Sequence, residues 1–378
     1  NDLNYYELAS IYIQQKNFCK AEKLYKQMET VWGTSPTLSE EVVKLAIEQN
    51  NISKSKKLLH SLIEKYPNEE RYYLVLMDIN KQIKAYDDAI DIAKKYLATF
   101  PDNNDMEVEL FKLYYSKPDT ILAMQQLQKL VAIPSIPAKS KSLIFEQIQK
   151  DKIIKSFSNY EDDLTKSMLL VHPDDIDVHL ARARYCIKAN KTQDAQTELY
   201  YVLNKDKSNA EVFEQLLQIE IKEGNWKAVN ELCTQAIQYY PVNANLYFYA
   251  GFSAWKLEKF DDAINVLLTG CTYATSQEQK GQFYMYLGES YFKLNDHVKC
   301  YYFFDKSITA FPTNDGALNN YSYYLSLTKD SLSKALEMTK LSNKLSPKNP
   351  VYLDTYAWVL FKLGRYIDAK IKIEEAIS

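Results

Sequence analysis

The stretch at residues 352–376 reads YLDTYAWVLFKLGRYIDAKIKIEEA. Aromatic residues sit in an apolar run that closes on Gly364, and a second amphipathic run follows with Ala369 and Ala376 spaced along it. The stretch is either a catalytic loop between two helices or one unit of something that recurs. Which of these holds decides what can be said about function.

Prolines give the first sign of recurrence. Pro67 and Pro101 lie 34 residues apart, Pro173 and Pro241 lie 68 apart, and Pro312 and Pro347 lie 35 apart. Most follow an amphipathic run and an aromatic residue, as in EKYP, ATFP, QYYP and TAFP. Proline cannot continue a helix, so each marks a helix end. On that grid the unit from Ala244 aligns with the unit from Pro350. Both carry a large residue at position four (Tyr247, Leu353) and a small one at eight (Gly251, Ala357). An aromatic follows at seventeen (Phe260, Tyr366), Ala at twenty (Ala263, Ala369) and a small residue at twenty-seven (Gly270, Ala376). Small residues at such spacing let helices approach closely, and the large ones fill the space beside them.

This pattern resembles the tetratricopeptide repeat (TPR). The resemblance implies an all-α fold, a right-handed α-α superhelix (solenoid) of about 11 tetratricopeptide-type helix-turn-helix repeats. Units fall at about 2–35, 36–69, 70–103, 104–137, 138–175, 176–209, 210–243, 244–280, 281–314, 315–349 and 350–378. The pattern is weak over 104–175. There YYSKPDTIL replaces the usual turn, AIPSIPAKS carries two prolines, and Glu161 stands where a small residue belongs. The expected organisation is an N-terminal sub-array at 1–137, an irregular repeat at 138–175 with a bend near 131–140, and a C-terminal sub-array at 176–378. A single helix pair cannot bury its apolar face, so neighbours must stack.

Composition agrees. The 378 residues are 46% apolar and 25% charged, the profile of a folded chain. Only 8 Gly and 11 Pro leave few tight turns. The net charge of −3, with acids and bases interspersed, argues against a nucleic-acid footprint. No apolar run reaches the ~18 residues of a membrane span. Residue 1 is Asn, the mark of a processed or trimmed chain, so a signal peptide or lipid anchor ahead of it is not readable.

Little in the sequence points to chemistry. Cys19, Cys186, Cys233, Cys271 and Cys300 are scattered without CxxC spacing and read as buried apolar residues. His172 and His179 are the only close histidine pair and lack the flanking carboxylate of a metal motif. Asp87–Asp88 and Asp261–Asp262 recur at one repeat position. That suits helix first turns, where acids cap N–H groups and complement the dipole, better than acid–base catalysis. No catalytic residue, cofactor or metal is expected.

What remains is surface. The resemblance implies that the first helix of each unit lines a concave groove through positions two, five, nine, twelve and thirteen. In the C-terminal units these are Phe248, Phe252, Trp255 and Lys256, then Met285, Glu289, Phe292 and Lys293, then Asn319 and Tyr323, then Asp354, Trp358, Phe361 and Lys362. Aromatics in such a row, with Lys at the rim, are the candidate partner-binding site, unless they pack against neighbouring helices. The N-terminal counterparts, among them Tyr6, Glu40, Lys44, Asp78 and Lys81, form a more polar face. The Lys/Asn/Arg clamp by which some family members hold acidic chaperone tails is not matched on three consecutive units. The resulting expectation is a non-enzymatic scaffold that binds a protein or peptide, with no nucleic acid. The alternative is a regulatory or accessory array whose catalytic part lies outside this chain. The last two units also resemble arrays of bacterial, Bacteroidota-like envelope proteins. That resemblance implies a periplasmic or outer-membrane-associated scaffold, tethered as a lipoprotein, the alternative being cytoplasmic.

Overall fold

A computed structural model describes residues 2–117, 119–151, 159–328 and 331–377, and among them there are 22 helices and no strand. The first pairs are α1 Asp2–Gln14 with α2 Phe18–Trp32, α3 Pro36–Glu48 with α4 Ile52–Lys65, α5 Glu70–Gln82 with α6 Tyr86–Thr99, and α7 Asn104–Ser116 with α8 Thr120–Val131. Next come α9 Ala138–Asp151 and α10 Glu161–Val171, then α11 Ile176–Lys188 and α12 Thr192–Lys205. The last pairs are α13 Ala210–Glu223 with α14 Trp226–Tyr239, α15 Ala244–Lys256 with α16 Phe260–Tyr273, and α17 Gln277–Lys293 with α18 His297–Ala310. They end with α19 Asp315–Thr328 and α20 Leu332–Leu345, then α21 Pro350–Lys362 and α22 Tyr366–Ile377. Among the described residues the fold is all-α, with the 22 helices following one another in the order that the helix-turn-helix repeat pattern implied.

Local chemistry explains the boundaries. The side chains of Ser35, Asn51, Asn103, Asp119, Asn209, Asn225 and Asp296 each accept from a backbone N–H in the first turn of the helix they precede. Helices α4, α6, α10, α14, α18 and α20 all stop just before the expected prolines. The turn within a pair is more uniform than the sequence suggests. Its fifteenth-position residue is left-handed in unit after unit: Lys16, Asn50, Lys84, Asn190, Gly224, Glu258, Asn295 and Gly364 all have φ between 53° and 77°. That conformation lets the following N–H reach back five residues, as in Ala85 to the Asn80 carbonyl at 2.8 Å and Arg365 to that of Leu360 at 2.9 Å. These bonds satisfy carbonyls that the helix end would leave bare.

The chain divides into two compact units, 1–188 and 189–378. In the first, each helix from α1 to α7 packs on its successor, α10 packs on α8 and α11, and α9 packs on α11. The core runs from Val43 through Tyr73, Leu76 and Leu127 to Met168 and Val178. Between α8 and α9, Ile136 is buried and Lys141 reaches back to the carbonyls of Val131 and Ile133. Glu161, the residue that breaks the small-residue pattern, is buried and accepts from Lys188 at 2.8 Å. In the second unit every helix from α12 to α22 packs on the next, and α15, α17, α19 and α21 also touch one another in series. That extra layer needs close approach. A Cβ on Gly270 would lie 2.3 Å from the Tyr247 Cβ and 2.8 Å from the Phe283 ring.

Candidate functional site

The first helices α15, α17, α19 and α21 form one continuous face because each touches the next in that series. On it the structure brings together Phe248, Phe252 and Trp255 of α15, but not as a free row. The Phe252 ring lies 5.1 Å from Trp226, 6.2 Å from Trp255 and 5.0 Å from Tyr286. Phe248 stands edge-on to Phe283 at 5.5 Å and to Tyr286 at 5.7 Å. All three are half-buried. Lys256 is exposed and lies over the rings of Trp226, Phe252 and Trp255 at 5.7, 5.4 and 5.3 Å. The cluster therefore joins α14, α15 and α17 beneath an ammonium group. Trp226 and Tyr286 were not expected to take part. Trp226 occupies the seventeenth, packing position of its unit, which gave the only hint.

Farther along, the polar residues go inward. Glu289 is 3% exposed and so is Asn319. The Tyr324 hydroxyl and the Asn320 amide, the latter at 2.8 Å, both donate to the Glu289 carboxylate. Asn319 donates to the Asn320 side-chain oxygen at 3.1 Å. Burial pushes the Glu289 carboxyl above its ordinary range, against the pull of those two donors and of Lys293. Phe292 stacks on Tyr324 with centroids 3.7 Å apart, so it belongs to the α17–α19 packing. Met285 is half-buried, while Lys293 is exposed. Of the fourteen candidate residues, then, Glu289 and Asn319 line the interior beneath the face rather than its surface.

The far end is more open. Tyr323 is 40% and Phe361 50% exposed. Phe361 stacks on Trp358 at 5.9 Å and meets Tyr366 at 5.4 Å. Lys362 lies 4.3 Å over the Trp358 ring, and Asp354 is exposed. Three buried polar atoms near this face have no hydrogen-bond partner: the indole N–H groups of Trp255 and Trp358 and the side-chain oxygen of Asn319. A cavity of about 400 Å³ lies between α13 and α15, lined by Glu214, Gln218, Ile221, Asn245 and Tyr249 among others.

The corresponding face of the first unit is closed by its own charges. Glu40 accepts from Tyr72 at 2.9 Å and pairs with Arg71, and Lys81 pairs with Glu109 at 2.5 Å. Asp87 and Asp88 stand in the first turn of α6 but make no side-chain cap. They pair instead with Lys117 and Lys56 of the neighbouring repeats. The two close histidines are also engaged in packing. His172 accepts from Lys141 at 2.8 Å, and His179 bonds the Pro173 carbonyl at 2.9 Å. Among the described residues no group of three or more His, Cys, Asp or Glu is placed to hold a metal ion. Cys186, Cys233 and Cys300 are buried, and burial pushes the latter two thiols up to about 12. Among the described residues no helix is long and apolar enough to cross a membrane.

No protein-family model and no curated protein matches the chain. Among solved structures it is similar to yeast Tom70, at 14% identity over 99% of this chain and 84% of that one, with a TM-score of 0.39. It is also similar to Cut9 of the APC/C hetero-tetramer Cut9–Hcn1, at 12% identity over 98% and 77%, with a TM-score of 0.38. A third is YrrB, described as a TPR protein with an unusual peptide-binding site, at 13% identity over 47% and 90%, with a TM-score of 0.37. The eleven-pair architecture rests on the chain's own helices rather than on these likenesses.

Proposed function

We propose that this chain is a non-enzymatic protein-interaction scaffold and that the first-helix face of its second unit holds the partner. One observation carries the reading. The face exposes the rings of Tyr323 and Phe361, and Phe361 stacks on Trp358, over which Lys362 lies. Aromatic anchors are the residues that dominate such interfaces. The test is selection of 12-residue phage-displayed peptides on the intact chain, followed by affinity measurements on Trp358→Ala and Phe361→Ala. Binding should weaken at least tenfold while the melting curve holds. Selected peptides that bind both variants as tightly as the wild type would remove this face from the reading. Unfolding of the variants would assign both residues to the core.

We further place the scaffold in a bacterial envelope assembly, on the resemblance of the stretch from Asp354 to Tyr366 to repeats of envelope proteins. Fractionation of the producing cell checks this, and recovery in the cytosol would overturn the envelope placement in favour of the cytoplasmic alternative.

A further inference from the structure

The face just described has a basic edge that the chain leaves unanswered. Lys222, Lys256, Lys293 and Lys362 all stand at the thirteenth position of their repeats, in the last turns of α13, α15, α17 and α21. None of the four makes an ion pair among the described residues. Elsewhere the same register is answered from within, since Lys188 of α11 pairs with the buried Glu161 at 2.8 Å. Two of the four are held in place by rings, Lys256 over Trp255 at 5.3 Å and Lys362 over Trp358 at 4.3 Å. Ring contact fixes an ammonium group without neutralising it. Cations held in this way without a counter-charge call for an anionic partner. The nearby carboxylates do not supply it. Glu289 is buried and holds Tyr324 and Asn320. Asp354 lies on α21 eight residues from Lys362, about 12 Å along the helix axis.

We infer that this edge docks an acidic peptide segment, with side-chain carboxylates on the lysine row. The inference rests on the scaffold reading and adds the charge of the partner. Three helix-to-helix steps of about 10 Å separate α15 from α21, a span of roughly nine or ten extended residues. Alternating acid and apolar side chains would set one row on the lysines and the other on the exposed rings of Tyr323 and Phe361.

The test uses fluorescein-labelled 12-residue peptides of alternating Glu and Leu, Gln and Leu, or Lys and Leu. Each is titrated with the full chain, and binding is read by anisotropy and by tryptophan emission. The Glu/Leu peptide should bind at least tenfold more tightly than the Gln/Leu peptide and lose that advantage as salt is raised. The triple variant Lys256→Glu, Lys293→Glu, Lys362→Glu should bind it at least tenfold more weakly. Lys340→Glu, on α20, should not change it. If the triple variant melts early, the double variant Lys256→Gln, Lys362→Gln is read in its place. Equal binding of the Glu/Leu and Gln/Leu peptides overturns the charge inference and leaves the scaffold reading standing. Undiminished Glu/Leu binding by the lysine variants also overturns it. Failure of all three peptides to bind counts against both.

Discussion

The Tyr247 hydroxyl donates to the Pro241 carbonyl at 2.9 Å, six residues back across a helix start. Tyr73 does the same to Pro67 at 3.0 Å, and His179 uses its ring Nε2 on Pro173 at 2.9 Å. In these three repeats the proline that ends one unit and the large fourth residue of the next are thus a bonded pair. The bond pins the entry of the first helix to the exit of the preceding second one. Tyr247→Phe removes only the hydroxyl and leaves the Pro241 carbonyl without that donor. The expected loss is about 1 kcal/mol, read by urea unfolding. An unchanged midpoint would reduce the pairing to coincidence.

The left-handed turn residue gives a paired prediction of opposite signs. Glu258 holds φ of 59° without being glycine, and Gly364 holds φ of 77° with nothing near its would-be Cβ. An L-residue in that region costs roughly 1–2 kcal/mol. Glu258→Gly should therefore gain up to about 1 kcal/mol after its greater unfolded-state entropy is counted, and Gly364→Ala should lose about 1 kcal/mol. Thermal melts of the two variants check the signs. A loss for both would mean that side-chain contacts, not φ, govern this position.

The repeat was legible because its marks are local. Prolines end helices, and small residues at fixed positions mark where helices touch. Gly270 illustrates the second, since even one methyl there would strike Tyr247. The site was only half legible because exposure depends on partners several repeats away in register. Phe292 and Phe361 both occupy the twelfth position of their units. Yet Phe292 is stacked 3.7 Å from Tyr324, while Phe361 meets Trp358 and Tyr366 at an open edge. Glu289 reads as a groove-lining carboxylate until Tyr324, 35 residues on, is seen to bond it. Helix α17 also begins at Gln277, a turn earlier than the repeat grid has it, which no periodicity signalled.

Glu289 makes the stability of the second unit depend on pH. Burial raises its pKa above the ordinary 4.5, so the folded chain binds that proton more tightly than the unfolded one. The sign follows from linkage: stability falls as pH climbs from about 4.5 through the folded value. Glu289→Gln keeps an oxygen for Tyr324 and carries no charge. Its unfolding free energy relative to wild type should be higher at pH 8 than at pH 4.5. Urea titrations at both values decide it, and an identical difference at the two would show that the carboxyl titrates as in the open chain.

Lys141 works in the opposite direction in the first unit. Its side chain is fully buried, and its ammonium donates to the Val131 carbonyl at 3.0 Å, the Ile133 carbonyl at 2.7 Å and His172 Nε2 at 2.8 Å. It thereby caps the end of α8, where the helix dipole favours a cation. Burial nonetheless holds its pKa down to about 8, from an ordinary 10.5. Between those values the unfolded chain binds more protons than the folded one, so this group makes stability rise with pH across that window. Tyrosines whose pKa burial raises act the other way in the same range, so the wild type alone cannot isolate the effect. Lys141→Met can, because every tyrosine is common to both chains. From pH 8 to pH 10 the wild type should gain stability relative to Lys141→Met. Parallel pH profiles would mean that the buried ammonium keeps its proton throughout, held by the two carbonyls and His172.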